Sequence, residues 1–266
     1  MLSPDRLLEL HAFVLGLLDE TRQQIEAKML TGYFHSVKDD RSEITEVDRS
    51  IELYLQRAIL ERFPEHGFIG EERTPNAERA EFTWYVDPID GTQNFTHVIP
   101  TFGTIIALHH NGRPIVGAID HPKLHETVSG ALGIGAFLNG ERLVLNDLAE
   151  HELPAEELVT LASPANFART GDFDVLFNFL RHHPNVRVYG DCFAQNAAFT
   201  GKAGASVQFN VKPWDIAAAK LLIEEAGGSA IPLCRNEDHR LGTFYGMLFG
   251  KKRMVEYLRP FFDSFC

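Results

Sequence analysis

The chain has 266 residues, 44% of them hydrophobic and 23% charged, with a formal net charge of −12 at pH 7. That length allows one large domain or two tightly joined halves, and the composition is that of a protein folded throughout. The negative balance repels phosphate backbones, which excludes nucleic acid as an expected partner, and the longest apolar runs, such as 102–108, fall far short of the ~20 residues that cross a bilayer.

The N-terminal segment, Ser3-Pro4-Asp5-Arg6, lacks the basic region, apolar core and small-residue cleavage site of a leader, so a cytoplasmic protein is expected. Cys192, Cys234 and Cys266 are odd in number and widely spaced, which suits reduced structural thiols better than disulfides or a zinc site. Ser3 as N-cap and Pro4 at the first helical position open a long helix whose apolar stripe is Leu7, Leu10, Val14, Leu17, Leu18 and Ile25. A second helix is expected from Thr45 to Phe63, with Val47, Ile51, Tyr54, Leu55, Ala58 and Ile59 inward, Pro64 as its stop and Asp48 in its first turn.

From Phe82 the pattern becomes strand and runs into Asp87. Strands 102–109 and 114–120 flank Asn111-Gly112, a two-residue hairpin signal; 126–131 and 135–138 form another pair, and Asn139-Gly140 turns toward 142–145. After the polar stretch 146–157 the order alternates: strand 158–162, helix 173–182, strand 186–189, helix 193–200 and strand 205–209. A helix from Trp214 to Ala226 ends at Gly227-Gly228, strands 229–233 and 246–249 follow, and 251–262 is the last helix. The first half (1–148) therefore reads as α+β and the second (149–266) as α/β.

Chemistry concentrates in Asp87-Pro88-Ile89-Asp90-Gly91-Thr92, where a strand ends and a turn begins. Two carboxylates flanking a fixed proline can converge on one point together with the Ile89 carbonyl, an all-oxygen set that hard divalent cations favour. Gly91 lets the backbone approach an anion, and the N–H groups after it can hold phosphate oxygens. Glu71 beside Glu72, Asp215 after Pro213-Trp214, and Asp48 add negative charge at element ends. Each of these alone also fits a capping or turn role.

Taken together, Gly70-Glu71-Glu72, Asp87 to Thr92 followed by Asn94-Phe95, Trp214-Asp215-Ile216-Ala217-Ala218, Glu225-Ala226-Gly227-Gly228 and Gly135 to Gly140 resemble the inositol monophosphatase superfamily over nearly the whole chain. The resemblance implies a layered αβαβα sugar-phosphatase fold, a homodimer, and Mg²⁺-dependent hydrolysis of a small phosphorylated metabolite. By the same resemblance Glu71, Asp87, Asp90, Asp215 and the Ile89 carbonyl hold two or three Mg²⁺ ions. Gly91 and Thr92 bind phosphate, Glu71 and Thr92 orient the attacking water with Asp48 nearby, and Lys38 stands close to the site.

Segments 63–67, 100–104, 117–122 and Gly190-Asp191-Cys192 look more like the histidinol-phosphatase branch than the inositol branch. Asp191 could meet a substrate ammonium or could cap a helix starting at Cys192. Gln208 stands where both branches usually have a glutamate, so it can bind a hydroxyl but cannot pair with an ammonium. Histidinol phosphate is the first expected substrate and inositol 1-phosphate the second. A regulatory, protein-binding role is the expectation from another class, disfavoured because clustered carboxylates without cations destabilise a fold.

Overall fold

A computed structural model describes residues 2–37, 43–72, 80–163, 166, 173–238 and 242–262. Helix α1 (Pro4–Thr31) starts as expected: Ser3 Oγ accepts the Arg6 N–H at 3.3 Å, and Leu7, Leu10, Val14, Leu17, Leu18 and Ile25 are all buried. A short ribbon, β1 (His35–Val37) paired with β2 (Glu43–Thr45), leads into α2 (Glu46–Arg62), which stops at Phe63 before Pro64.

The first large sheet has seven strands in sequence order: β3 (Gly67–Gly70), β4 (Phe82–Asp90), β5 (Gly103–His110), β6 (Arg113–His121), β7 (Glu126–Ala131), β8 (Gly135–Leu138) and β9 (Glu141–Leu143), with the one-turn helix α3 (Thr92–Thr96) after β4. β3 runs parallel to β4, and every later neighbour is antiparallel. Both predicted Asn-Gly turns close their hairpins with two residues at positive φ, Asn111 with Gly112 and Asn139 with Gly140.

The second sheet comes from the rest of the chain. Strand β10 (Val159–Leu161), helix α4 (Phe173–His182), strand β11 (Val186–Val188), helix α5 (Asp191–Phe199) and strand β12 (Ala205–Val211) precede α6 (Ala219–Glu225), β13 (Ser229–Asp238), β14 (Gly242–Gly250) and α7 (Lys252–Phe262). Its order is β11-β10-β12-β14-β13, parallel across the first three strands and antiparallel across the last three.

Side-chain alternation on β5 shows the layering. Ile106 and Leu108 pack with the buried faces of α1 and α2, whereas Ile105 and Ala107 pack with Ala218, Leu222 and Phe249 on the other side. Beyond the second sheet, Phe179 of α4 and Met254 and Leu258 of α7 cover Val207, Phe209 and Leu248. The result is five layers, αβαβα, as the family resemblance implied. Both faces of each sheet are buried, with each fully enclosed large apolar side chain contributing about 1.5–3 kcal/mol.

The strands expected at 229–233 and 246–249 are longer, Ser229–Asp238 and Gly242–Gly250, and two further departures bear on the site. The segment predicted to open a helix at Trp214 is a run of turns, and α6 begins only at Ala219. The cause is Asp215 itself: its carboxylate accepts the Lys212 N–H at 2.7 Å, folding the chain backward instead of capping a helix forward. The helix expected from Phe193 starts at Asp191, whose φ is +48°, and its N-cap is Gly190 with no side-chain cap. Asp191 is therefore not the capping residue that its position also allowed.

Candidate metal and phosphate site

The site is built at the end of β4. In a regular strand, residues three apart point to opposite faces. Here Asp87 pairs with Ile105 and Asp90 with Gly103, so β4 carries one more residue than β5 between those points. This bulge at Pro88-Ile89, anchored by the Thr104 hydroxyl donating to the Pro88 carbonyl at 2.8 Å, brings both carboxylates to one side. Pro88 suits the place because a bulged residue has no ladder bond to give. The turn after β12 supplies Asp215, and one carboxylate oxygen from each of Asp87, Asp90 and Asp215 lies within 4.8 Å of the other two.

Glu71 leaves β3 directly beyond Gly70, which is in register with Val86, so it emerges beside Asp87. Asp48 is fully buried in the first turn of α2. It forms the capping box with Thr45, accepting that residue's N–H at 2.8 Å, and its other oxygen lies 3.3 Å from the Thr92 hydroxyl. The carboxylate that caps α2 thus also reaches Thr92. The Thr92 hydroxyl also reaches the Ile89 carbonyl at 3.0 Å.

Gly91 has φ +86°, and a side chain there would press on Asp191 Oδ2 at 3.1 Å and the Phe102 backbone at 3.4 Å. Asp191 Oδ2 accepts from the Asn94 amide at 3.2 Å, while the next N–H, of Cys192, donates to Asp90 Oδ2. That link from α5 to Asp90 has no residue signature, because the donor is a backbone N–H. Gln208 is buried in β12, and its amide donates to Ser206 Oγ at 2.9 Å. Cys192 is a buried free thiol, as expected. Lys38, Cys266 and the Cys234 side chain lie outside the described residues.

Electrostatics make this cluster an incomplete structure by itself. Burial, then Glu71, raises the Asp87 carboxyl well above the usual carboxylate range, and burial, then Asp191, does the same to Asp90. Asp215 is pushed up to about 8 and Asp191 to about 6, in each case by burial first and Glu71 second. Asp87 Oδ1 is buried without a hydrogen-bond partner among the described residues. Converging oxygens, an orphaned carboxylate atom and mutual repulsion fit a hard divalent cation such as Mg²⁺, which takes oxygen ligands and supplies the missing positive charge.

The inositol monophosphatase family model matches residues 12–252. A histidinol-phosphatase of Chlorobaculum parvum is 34% identical over 196 residues, covering 72% of this chain and 73% of that one. A fructose-1,6-bisphosphatase/inositol-1-monophosphatase of Aquifex aeolicus is 30% identical over 200 residues, covering 72% of each. A solved inositol monophosphatase/NADP phosphatase, complexed with Mg²⁺ and phosphate, superposes with a TM-score of 0.81 at 21% identity, covering 97% of each chain.

Fold and site together define a metal-dependent phosphoric monoester hydrolase. Within that class, the chain belongs to the inositol monophosphatase family.

Proposed function

We propose that the protein is a Mg²⁺-dependent phosphatase of the histidinol-phosphate type. The observation that supports this choice is Asp191, a carboxylate set against Gly91 at the phosphate end of the site. A relative of this chain carries the name histidinol-phosphatase. An ammonium on the substrate would offset the crowding that raises the Asp191 carboxyl.

In this reading Asp87, Asp90, Asp215, Glu71 and the Ile89 carbonyl would hold two or three Mg²⁺ ions. Bound there, the metal supplies charge neutralisation and polarises the ester phosphate. The Gly91 and Thr92 N–H groups bind the phosphate oxygens. Thr92, its hydroxyl held by Asp48, works with Glu71 to orient the water whose oxygen bonds to phosphorus as the ester P–O bond breaks, the departing alcohol taking a proton. By the family resemblance, Lys38, outside the described residues, is a further substrate-binding candidate. Gln208 contacts a substrate hydroxyl once its amide turns from Ser206. A homodimer of cytoplasmic chains, each of halves 1–148 and 149–266, completes the reading. Inositol 1-phosphate is the second substrate, favoured by the neutral Gln208 and by the dual name of the A. aeolicus relative.

Steady-state assays on a panel of phosphate monoesters test this. EDTA should abolish turnover and Mg²⁺ restore it. Histidinol phosphate should have the highest kcat/KM, and Asp191→Asn should raise its KM while barely changing that of inositol 1-phosphate. A preference for inositol phosphate that Asp191→Asn leaves untouched would remove the histidinol assignment and keep the metal phosphatase. Light scattering on the purified chain tests the dimer.

A further inference from the structure

The buried face of α2 carries two carboxylates one helical turn apart, Asp48 and Glu52, both at 0% exposure. Asp48 addresses Thr92. Glu52 addresses a different part of the site: its Oε2 accepts the backbone N–H of Glu72 at 2.7 Å. A carboxylate is rarely taken wholly out of water unless its bonds have a structural purpose, and a bond to an ionised acceptor is stronger than a neutral one.

Gly70 fits the same arrangement. A Cβ there would lie 2.5 Å from both the Glu52 carboxyl carbon and Oε2, and 2.8 Å from Oε1. Only a residue without a side chain lets the end of β3 close over this carboxylate. Residues on both sides of Glu71 are therefore fixed by one group: Gly70 packs on the Glu52 carboxyl and Glu72 donates to it.

We infer that Glu52 is a positioning residue that acts through Glu71, holding the turn after β3 so that Glu71 enters the site beside Asp87. This rests on the metal-site reading above. The parallel register of Gly70 with Val86 sets where Glu71 leaves the sheet, and the Glu52 bond to Glu72 sets the direction of the chain at that point. The nearness of Glu71 to the other carboxylates agrees with this, since it stands among the groups that raise Asp48, Asp87, Asp191 and Asp215. α2 thereby links the placement of Thr92 to the placement of Glu71 through one rigid element.

Calorimetric titration of the full chain with Mg²⁺ tests the inference without relying on turnover. Glu52→Met keeps the volume and loses the acceptor, so it should weaken Mg²⁺ binding at least tenfold. Glu52→Gln, which can still accept the Glu72 N–H, should stay within about threefold of wild type. Because Glu52 acts through Glu71, adding Glu52→Met to Glu71→Gln should cost less than a further twofold. Gly70→Ala, which forces the turn away from an intact Glu52, should reproduce the loss if Glu52→Met fails to fold. Wild-type Mg²⁺ affinity in a folded Glu52→Met or Gly70→Ala protein would overturn the inference, as would independent, multiplying losses from Glu52→Met and Glu71→Gln. Failure of the wild type itself to bind Mg²⁺ would instead overturn the metal-site reading.

Discussion

Asp90 meets the Cys192 N–H with one oxygen while Asp191 and Asp215 press negative charge toward it. Asp90→Asn would keep its oxygen on that N–H and turn its NH₂ into the site, placing a donor where a cation needs an acceptor. Mg²⁺ affinity should fall more than tenfold by calorimetry, and kcat by about two orders of magnitude or more. The metal-free protein should melt no lower than wild type, since one repelling charge is gone. Unchanged Mg²⁺ binding would remove Asp90 from the ligand set. Thr92→Ala belongs with it: deleting a hydroxyl that reaches Asp48 should lower kcat more than it raises KM, because water positioning matters chiefly in the transition state.

Between elements, α1 is fastened to the first sheet by Arg22, which donates to both oxygens of Asp120 and, at 2.8 Å, to the Thr127 hydroxyl. Asp120 is 1% exposed, so Arg22→Met would strand a buried charge, and urea denaturation should show a loss of about 3 kcal/mol. Asp120→Asn added to it should restore part of that loss. Apolar periodicity made α1 legible residue by residue, and turn chemistry made the hairpins legible. The same periodicity ranked Tyr54 and Ala58 as inward on α2 but passed over Asp48 and Glu52, which are buried. Glu52 is buried against the turn after β3, and Asp48 meets Thr92 of α3 as well as its own helix cap, so distant partners carry much of what apolar periodicity cannot register. Convergence of the motif aspartates was legible because a proline between two carboxylates three apart suits a turn that gathers them. The bulge that aims them depends on the register with β5, and the backward turn at Asp215 depends on a backbone bond, so neither was visible.

Over the whole molecule, the carboxylates near the site couple protonation to stability. Asp215, pushed up to about 8, and Asp191, up to about 6, hold protons in the folded metal-free protein that the unfolded chain has released by about pH 4. The folded state therefore binds more protons across that window, and its stability falls as pH rises. In EDTA the Tm should drop between pH 5 and 8.5. In saturating Mg²⁺ the drop should vanish, and the gap between the two curves should widen with pH. A flat curve in EDTA would mean that the cluster is not crowded. The bulge on β4 has a further consequence, in time instead of energy. Asp87 and Asp90 belong to a sheet of mostly neighbouring strands, but Asp215 arrives from the far side of β12, a contact of long sequence separation that closes late. The expectation is that Asp215 joins Asp87 and Asp90 only after the barrier. Mg²⁺ should accordingly slow unfolding in stopped-flow measurements while leaving the refolding rate unchanged.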